Sequence, residues 1–369
     1  MKRFNRCEKT TQNNSRFASE TNHSVITRAY TGGVSTSRAV SVKDVASRAG
    51  VSVGTVSNVL NRPEKVAPAT VARVQKAIDE LGFIRNDAAR QLRAGRSRAL
   101  GLIVLDVRNP FFSSVALGAD ERARQSGYSI ILGNSDEKVE RESAYLDLFE
   151  EQRMAGVLIS PFGDIDDRLQ LLRDRGTPAV LVDRHTSSGG FSSVAVDDVA
   201  GGLLAGQHLL ASGRRRITFV GGPIDIRQVR DRLIGLQQAT NGLPDAQIEV
   251  LLGDSLSIIE GRRLGAQLAA RPAAQRPDAV FAANDLMALG VLQALVMLGS
   301  LRVPDDVALV GYDDIEYASG AVVPLTSVRQ PAALIGSTAV EILLDEALND
   351  APPGRSVVFQ PELIVRAST

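Results

Sequence analysis

The sequence predicts a small all-α head followed by a larger α/β domain built from two similar halves. Apolar residues recur at helical spacing between Ser41 and Leu81, with glycines where helices should end. From Ala99 onward, short apolar strand-like runs alternate with helical stretches, and the cycle starts again near Arg216. The chain has 369 residues, of which 44% are hydrophobic, so more than one domain with a sizeable core is expected.

The first segment of the head, SVKDVASRAGVSVGTVSNVLN at 41–61, predicts two short helices joined by a tight turn. Ser41 stands at an N-cap position with Asp44 three residues later, and Gly50 can end the first helix in the left-handed conformation. Ser52 can cap the second helix. This spacing is typical of a helix-turn-helix, which presents the N-terminal turn of its second helix to DNA bases. An ordinary helical hairpin is the alternative.

The outward turn of the second predicted helix carries the candidate DNA-contacting residues. An asparagine can form two hydrogen bonds with an adenine edge, and a valine or threonine methyl group can meet the methyl group of thymine. The candidates are Val53, Gly54, Thr55, Ser57 and Asn58.

The net charge of the chain is zero, but the charges are unevenly distributed. Residues 1–40 carry 7 Lys/Arg and 2 Asp/Glu, and residues 41–98 carry 11 and 5. The remaining residues, 99–369, carry 24 and 35. A basic N-terminal part on an acidic body favours a polyanionic partner at one end of the molecule, as DNA would be.

Four stretches of the chain occur in an order that is known from one protein family. They are VKDVASRAGVSVGTVSNVLN, ATVARVQKAIDELGF, NDAARQLRAGRS and GLIVLDVRNPFF. Together they resemble the LacI/GalR family of bacterial repressors, and the resemblance extends from about Ser41 to Thr369. It implies a third head helix and a ligand domain with the fold of periplasmic sugar-binding proteins.

The basic stretch after the head resembles the hinge helix of that family, which is ordered only on operator DNA. The resemblance implies that Leu92 enters a minor-groove step and kinks the duplex, with Ala88 facing the second chain. The alternative is a solvated linker with one incidental leucine.

The sequence thus predicts four parts in the chain. The first is polar and without apolar periodicity, so it is either a disordered basic extension or a translation start placed too early. The parts are the extension 1–40, the helix-turn-helix domain 41–85, the hinge 86–98 and the ligand-binding and dimerisation domain 99–369.

The resemblance also implies that the chain crosses three times between two subdomains of the ligand-binding domain. The crossings are expected near Val196, Ser327 and Val357. Subdomain N then comprises about 99–196 and 328–356, and subdomain C about 197–327 and 357–369.

Polar residues follow several predicted strands, at the position where ligands bind in open α/β sheets. Carboxylates and amides there can bind sugar hydroxyls, whereas capping of the next helix is the alternative role. The adjoining residues Asp285 and Asp314 are interpreted as a helix cap and as loop structure. The resemblance implies a ligand set of Phe111, Asp183, Arg232, Asn284, Asp313 and Gln330, with Phe111 as an apolar platform.

Two departures from the family pattern bear on the ligand. Ser255 and Leu256 stand where many sugar-responsive members have an aromatic residue. Ile226 stands where the purine-responsive member has an arginine. A sugar is therefore favoured over a nucleobase, and the particular sugar is not identified.

Other features argue against an enzyme, a secreted protein or a membrane protein. The three histidines, His23, His185 and His208, stand in unrelated contexts, and neither metal-ligand spacing nor a phosphate-binding loop is found. The single cysteine, Cys7, excludes a disulfide within the chain and fits a reducing compartment. No apolar run is long enough to cross a bilayer, and the N-terminus has no apolar signal core.

We therefore predict a cytoplasmic, nucleoid-associated regulator that binds operator DNA and represses carbohydrate-utilisation genes until a small sugar releases it. No leucine heptads occur at the C-terminus, which favours a homodimer over a tetramer. No cofactor is expected. The alternatives are a periplasmic-type sugar-binding protein without a regulatory role, and a regulator that activates transcription or depends on a corepressor.

Overall fold

The structure, a computed structural model, describes residues 40–83, 97–185, 190–298, 301–349 and 351–369. The chain divides into two compact units, Met1–Asn86 and Asp87–Thr369. The hinge candidates Ala88 and Leu92 and nearly all of the predicted N-terminal extension lie outside the described residues.

Within its described residues, 40–83, the first unit contains three helices: α1 Val42–Ala49, α2 Val53–Asn61 and α3 Pro68–Leu81, with a short 3₁₀ turn at Pro63–Lys65. The predicted capping box is confirmed, because the Asp44 carboxylate accepts from the Ser41 backbone N–H at 2.7 Å and the Asp44 N–H donates to the Ser41 hydroxyl. Gly50 ends α1 with a φ of 62°, a conformation that glycine adopts without steric cost.

The three head helices enclose one small core. Val45, Val56 and Val74 are fully buried at its centre, one from each helix. The predicted apolar face of the third helix is confirmed, since Val71, Ile78 and Leu81 pack around this core with Val74. A core of this size supports a stable but small domain.

The second unit contains two six-stranded sheets, each flanked by helices. The first sheet is entirely parallel, in the order β11-β5-β4-β3-β1-β2. Its strands are β1 Ala99–Val104, β2 Ser129–Asn134, β3 Gly156–Ile159, β4 Ala179–Val182, β5 Ser192–Val196 and β11 Ser356–Phe359.

The second sheet has the order β12-β10-β9-β8-β6-β7 and is parallel except for the antiparallel edge strand β12. Its strands are β6 Arg216–Gly221, β7 Gln247–Leu252, β8 Ala279–Ala282, β9 Ala308–Asp313, β10 Thr326–Arg329 and β12 Glu362–Ile364. The two parallel-rich sheets confirm the predicted α/β class with two similar halves.

Nine helices are described between and after these strands, with a 3₁₀ turn at Ala273–Gln275 and a π-helical turn at Ala294–Leu298. They are α4 Pro110–Gln125, α5 Val139–Glu151, α6 Asp166–Asp174, α7 Asp198–Ala211, α8 Arg227–Thr240, α9 Ile258–Ala269, α10 Asp285–Gln293, α11 Glu316–Ser319 and α12 Ala332–Leu348.

The chain passes from one sheet to the other three times. The first crossing lies at Asp197, between β5 and α7. Ser327 and Val357, near which the other two crossings are predicted, lie inside β10 and β11. The chain therefore crosses a few residues later, after β10 and between β11 and β12.

Close helix pairs hold each half of this unit together. α4 and α12 approach so closely that a Cβ atom on Gly336 would lie 2.0 Å from the Val115 carbonyl oxygen. In the other half, a Cβ atom on Gly202 of α7 would lie 2.1 Å from the carbonyl oxygen of Arg232 in α8. The second approach matters for the site, because it brings the N-terminus of α7 against the Arg232 side chain. Within the described part of the chain, no helix is both long enough and apolar enough to span a membrane.

Candidate functional site

The candidate DNA-contacting residues lie on the first turns of α2. Ser52 caps this helix, since its hydroxyl accepts from the Thr55 backbone N–H at 3.0 Å. Val53, Gly54 and Asn58 are exposed, whereas Thr55 and Ser57 are half-buried. Val56 and Val59 point into the head core, so the same helix has an anchored face and an open face.

Some side chains on this open face already form hydrogen bonds within the head, and others do not. The Thr55 hydroxyl contacts the Ser52 hydroxyl at 2.9 Å, and Ser57 accepts from the Asn61 amide at 3.3 Å. Within the described residues, the Asn58 side-chain amide makes no hydrogen bond of its own. It is therefore available to meet a base edge.

The second unit contains a cleft with an enclosed volume of about 30 Å³ at the carboxyl ends of strands from both sheets. Five of the six predicted ligand residues line it together: Phe111, Asp183, Arg232, Asn284 and Asp313. Gln330 is not part of the lining. It lies behind Asp313 and donates from its Nε2 to the Asp313 Oδ1 at 2.7 Å.

Arg232 projects from α8 into the centre of a buried polar cluster. Its Nε donates to Asp198 Oδ1 at 2.8 Å, and its Nη1 donates to the Ala283 carbonyl at 2.6 Å. The guanidinium carbon lies 3.6 Å from the centre of the Tyr312 ring, a cation–π contact. Asp313 Oδ1 lies 3.8 Å from Nη1. The net effect of the surrounding carboxylates raises the pKa of Arg232, although burial acts in the opposite direction.

Asp183 follows β4 with a φ of 57°, and its side chain is buried. The Gln228 amide of α8 donates to Asp183 Oδ2 at 2.9 Å and to the Asp183 carbonyl at 2.6 Å. Asp183 Oδ1 is buried without a hydrogen-bond partner among the described residues. Burial raises the pKa of Asp183 well above its usual range, Asp198 and Asp313 raise it further, and Arg232 opposes this effect.

Asp313 ends β9 with a φ of 104° and uses both carboxylate oxygens. Its Oδ2 accepts from the Asn109 Nδ2 at 3.0 Å, and its Oδ1 accepts from Gln330. Burial raises the pKa of Asp313, and Arg232 opposes that shift. Asn109 belongs to the first half of the unit and Asp313 to the second, so this hydrogen bond spans the cleft.

Asn284 combines a structural role with its position in the cleft. Its Oδ1 accepts from the Met287 N–H at 2.9 Å and caps α10, and its Nδ2 donates to the Leu256 carbonyl at 3.2 Å. Helix capping, the alternative role for such strand-end residues, therefore applies to this member of the ligand set as well.

The two residues kept out of the ligand set are engaged elsewhere. Asp285 accepts from the Ile315 N–H at 2.9 Å and from the Ser327 hydroxyl at 2.7 Å. It therefore ties α10 to strand β10 and to the segment after β9 rather than capping its own helix through its side chain. Asp314 forms ion pairs with Arg329 at 2.8 Å and Arg366 at 2.7 Å, as a loop-stabilising residue would.

Several lining residues are absent from the sequence-based ligand set. The polar ones contact predicted residues: Asn109 binds Asp313, and Gln228 binds Asp183. Asn109 had a local signal, because an asparagine before proline at a predicted helix start is a typical N-cap. The full set of additional lining residues is Leu105, Asp106, Asn109, Phe112, Glu137, Ile226, Gln228 and Leu256.

A helix-turn-helix head and an α/β domain with a polar cleft between its two halves define a DNA-binding regulator of the kind that responds to small molecules. Residues 41–86 match the family model described as "Bacterial regulatory proteins, lacI family". Residues 207–369 match the model described as "Periplasmic binding protein-like domain". The chain belongs to the LacI family. It is a transcriptional regulator rather than an enzyme.

Relatives along almost the whole chain agree with this assignment. The HTH-type transcriptional repressor PurR of Aliivibrio fischeri is 33% identical over 333 residues, which cover 89% of this chain and 97% of the relative. PurR of Escherichia coli is also 33% identical, covering 89% and 96%.

Solved structures of similar proteins share the fold. The Lac repressor dimer bound to operator and the anti-inducer ONPF aligns with a TM-score of 0.79 at 29% identity, covering 90% of this chain and 99% of that one. The transcriptional regulator CelR in complex with cellobiose aligns with a TM-score of 0.66 at 32% identity, covering 89% and 100%.

Proposed function

We propose that this protein is a homodimeric operator-binding repressor of carbohydrate-utilisation genes, acting in the cytoplasm on the nucleoid and released by a small sugar-like effector. The observation that carries the proposal is the composition of the cleft. Carboxylates, amides and a guanidinium line it together with Phe111 and other apolar side chains. Sugars present the matching combination of hydroxyls, which donate and accept, and an apolar ring face.

The proposed ligand residues are the six named in the sequence analysis, and each has its own role. Asp183 offers a buried free acceptor oxygen, and Arg232 is already held in place by Asp198 and Tyr312. Phe111 is the apolar platform. Gln330 acts through Asp313, because it donates to the Asp313 carboxylate and does not line the cleft.

The proposed DNA contacts are those of α2, with Asn58 and Val53 as the base-reading residues because both are exposed. The hinge proposal, with Leu92 as the wedge and Ala88 facing the second chain, is supported by the family membership and by the basic character of that stretch.

The dimer proposal is supported by exposed apolar residues on two edge strands. Ile131 and Leu132 are 44% and 43% exposed on β2, at one edge of the first sheet. Val250 and Leu252 are 39% and 40% exposed on β7, at an edge of the second sheet. Exposed apolar edge strands in both halves are typical of surfaces that a second chain covers. A similar protein, the Lac repressor, is described as a dimer on its operator.

The test is fluorescence anisotropy with a labelled DNA fragment from upstream of the protein's own gene, at fixed salt. Neutral mono- and disaccharides are then added one at a time to the complex. We expect a tight complex that one sugar dissociates. A sugar that tightens the complex would show a corepressor-dependent regulator, and a complex that responds to no sugar would contradict the effector class.

The matched control is the Asn58→Ala variant, which should lose operator preference and keep sugar binding. If the folded wild-type protein bound neither this fragment nor other sites selected from genomic DNA, the DNA-binding part of the proposal would be wrong.

A further inference from the structure

The charged groups that line the cleft are mostly acidic. Four carboxyl groups, those of Asp106, Glu137, Asp183 and Asp313, face it together with the single guanidinium of Arg232. Ionised carboxyl groups repel an anionic ligand, and carboxyl oxygens accept hydrogen bonds from a neutral one.

Three arginines near the cleft are already paired with carboxylates. Arg232 binds Asp198 at 2.8 Å. Arg108 binds Asp106 at 2.8 Å and Asp136 at 2.9 Å, and Arg227 binds Asp231 at 3.3 Å. A phosphate or carboxylate on a ligand would therefore compete with a protein carboxylate for each of these guanidinium groups.

Two of the helix N-termini at the cleft are also engaged, whereas α8, which begins after the lining residue Ile226, has no side-chain cap. Asn109 accepts from the Phe111 N–H at 3.0 Å at the start of α4. Asn284 accepts from the Met287 N–H at 2.9 Å at the start of α10. Helix N-termini often hold phosphate groups through such N–H donors, and at α4 and α10 a side chain of the protein already accepts from one of these donors.

Two carboxyl groups in the lining have no cation of their own. Asp183 is buried, and its Oδ1 has no hydrogen-bond partner among the described residues. Glu137, in the loop after β2, forms no ion pair within the described part of the chain. The neighbouring Arg108 is bound to Asp106 and Asp136.

We propose that Glu137 and Asp183 make the cleft selective for uncharged, hydroxyl-rich effectors and against their phosphorylated or acidic counterparts. Asp183 accepts a ligand hydroxyl at its free oxygen, and Glu137 repels negative charge elsewhere in the lining. Ile226 and Leu256, which also line the cleft, offer apolar side chains where an anion would need donors. The inference rests on the proposed function, because it specifies the class of effector that this cleft takes.

The charge state of Glu137 gives the selectivity a pH dependence. Burial raises the pKa of Glu137 to about 7, and Asp106 and Asp136 raise it as well. Arg108 and the backbone N–H of Leu256 act in the opposite direction. Glu137 therefore loses its proton as the pH rises through about 7, so discrimination against an anion should increase over that interval.

The test uses matched pairs of ligands with the full-length protein and isothermal titration calorimetry. Each pair consists of a neutral sugar and its phosphate ester, such as D-ribose with ribose 5-phosphate and D-glucose with glucose 6-phosphate. We expect one neutral sugar to bind and its phosphate ester to bind about 100-fold more weakly or not at all. The Glu137→Gln variant should reduce the ratio of the two dissociation constants, phosphate ester to neutral sugar, about tenfold. Glu140→Gln removes a charge from an exposed residue three positions away and should leave this ratio unchanged.

The pH dependence is measured with D-glucuronate against D-glucose, because the charge of the acid stays constant from about pH 6 to about pH 8. Discrimination should rise with pH in the wild type and in Glu140→Gln, and stay flat in Glu137→Gln. Equal or tighter binding of a phosphate ester would overturn the selectivity while leaving a sugar-responsive repressor in place. If no sugar of either kind bound, the proposed effector class would fail, and the selectivity would fail with it.

Discussion

Replacing Arg232 with methionine should destabilise the second unit strongly. The substitution keeps an unbranched side chain but removes the donors to Asp198 at 2.8 Å and to the Ala283 carbonyl at 2.6 Å. It also leaves the Asp198 carboxylate, which is 8% exposed, without its cation. Breaking a buried pair in this way costs about 3–5 kcal/mol, and we expect a loss of about 4 kcal/mol at neutral pH. Arg232→Ala should therefore abolish ligand response partly by destabilising the domain.

The assay is urea unfolding followed by far-ultraviolet circular dichroism, since the chain contains no tryptophan. Arg122→Met is the matched control, because Arg122 pairs with Glu341 at 2.9 Å on the surface and its loss should cost less than about 1 kcal/mol. A loss below about 1 kcal/mol for Arg232→Met would refute the reasoning, because it would mean that Asp198 does not need its partner.

The loss of unfolding free energy caused by Arg232→Met should also be smaller at mildly acidic pH. Burial already raises the pKa of Asp198, and Arg232 is the main group that lowers it. Removing Arg232 raises that pKa further, so the carboxyl group takes up a proton in the folded state more readily than in the unfolded chain. Stability relative to the wild type then rises as the pH falls. If the difference in unfolding free energy between Arg232→Met and the wild type did not change with pH, the destabilisation would come from lost packing instead.

Three further changes test other parts of the molecule. Asn58→Ala should weaken operator preference by about 1–3 kcal/mol in anisotropy titrations without changing ligand affinity, and an unchanged preference would exclude Asn58 from base reading. Ser52→Ala removes the cap of α2 and should cost about 1 kcal/mol in thermal unfolding of the head. Gly336→Ala should cost about 1–3 kcal/mol in urea unfolding, because its Cβ would lie 2.0 Å from the Val115 carbonyl oxygen, and a neutral effect would mean that α4 and α12 separate freely.

The head was predictable because its signals are local. The capping box at Ser41 and Asp44 and the left-handed Gly50 lie within one short segment, and each acts on the backbone next to it. The strands that alternate with helices were predictable for a similar reason, since buried parallel strands are continuous apolar runs. β12, with three residues at a sheet edge and none of them fully buried, carries no such run and was missed.

The sequence predicted residues that line the cleft but not which side chains hydrogen-bond to them. Strand ends and the family resemblance placed Asp183 and Asp313 in one set, and both line the cleft. The contacts that fix them come from distant parts of the chain: Asn109 lies 204 residues from Asp313, and Gln228 lies 45 residues from Asp183. Such pairs depend on how two sheets and their helices pack, which neither spacing nor propensity encodes.

The same long-range bonds connect ligand chemistry to the arrangement of the two halves. Asn109 and Asp313 belong to different halves, as do Asp183 and Gln228, and each pair is hydrogen-bonded across the cleft. Gln330, which holds the other oxygen of Asp313, directly follows β10, where the chain crosses between the sheets. A ligand that donates to Asp183 or Asp313 therefore acts on groups that already join the halves. A small change in the hydrogen bonding of these two carboxylates is thus a change in the contacts between subdomains, which is the differential interaction that an allosteric effect requires.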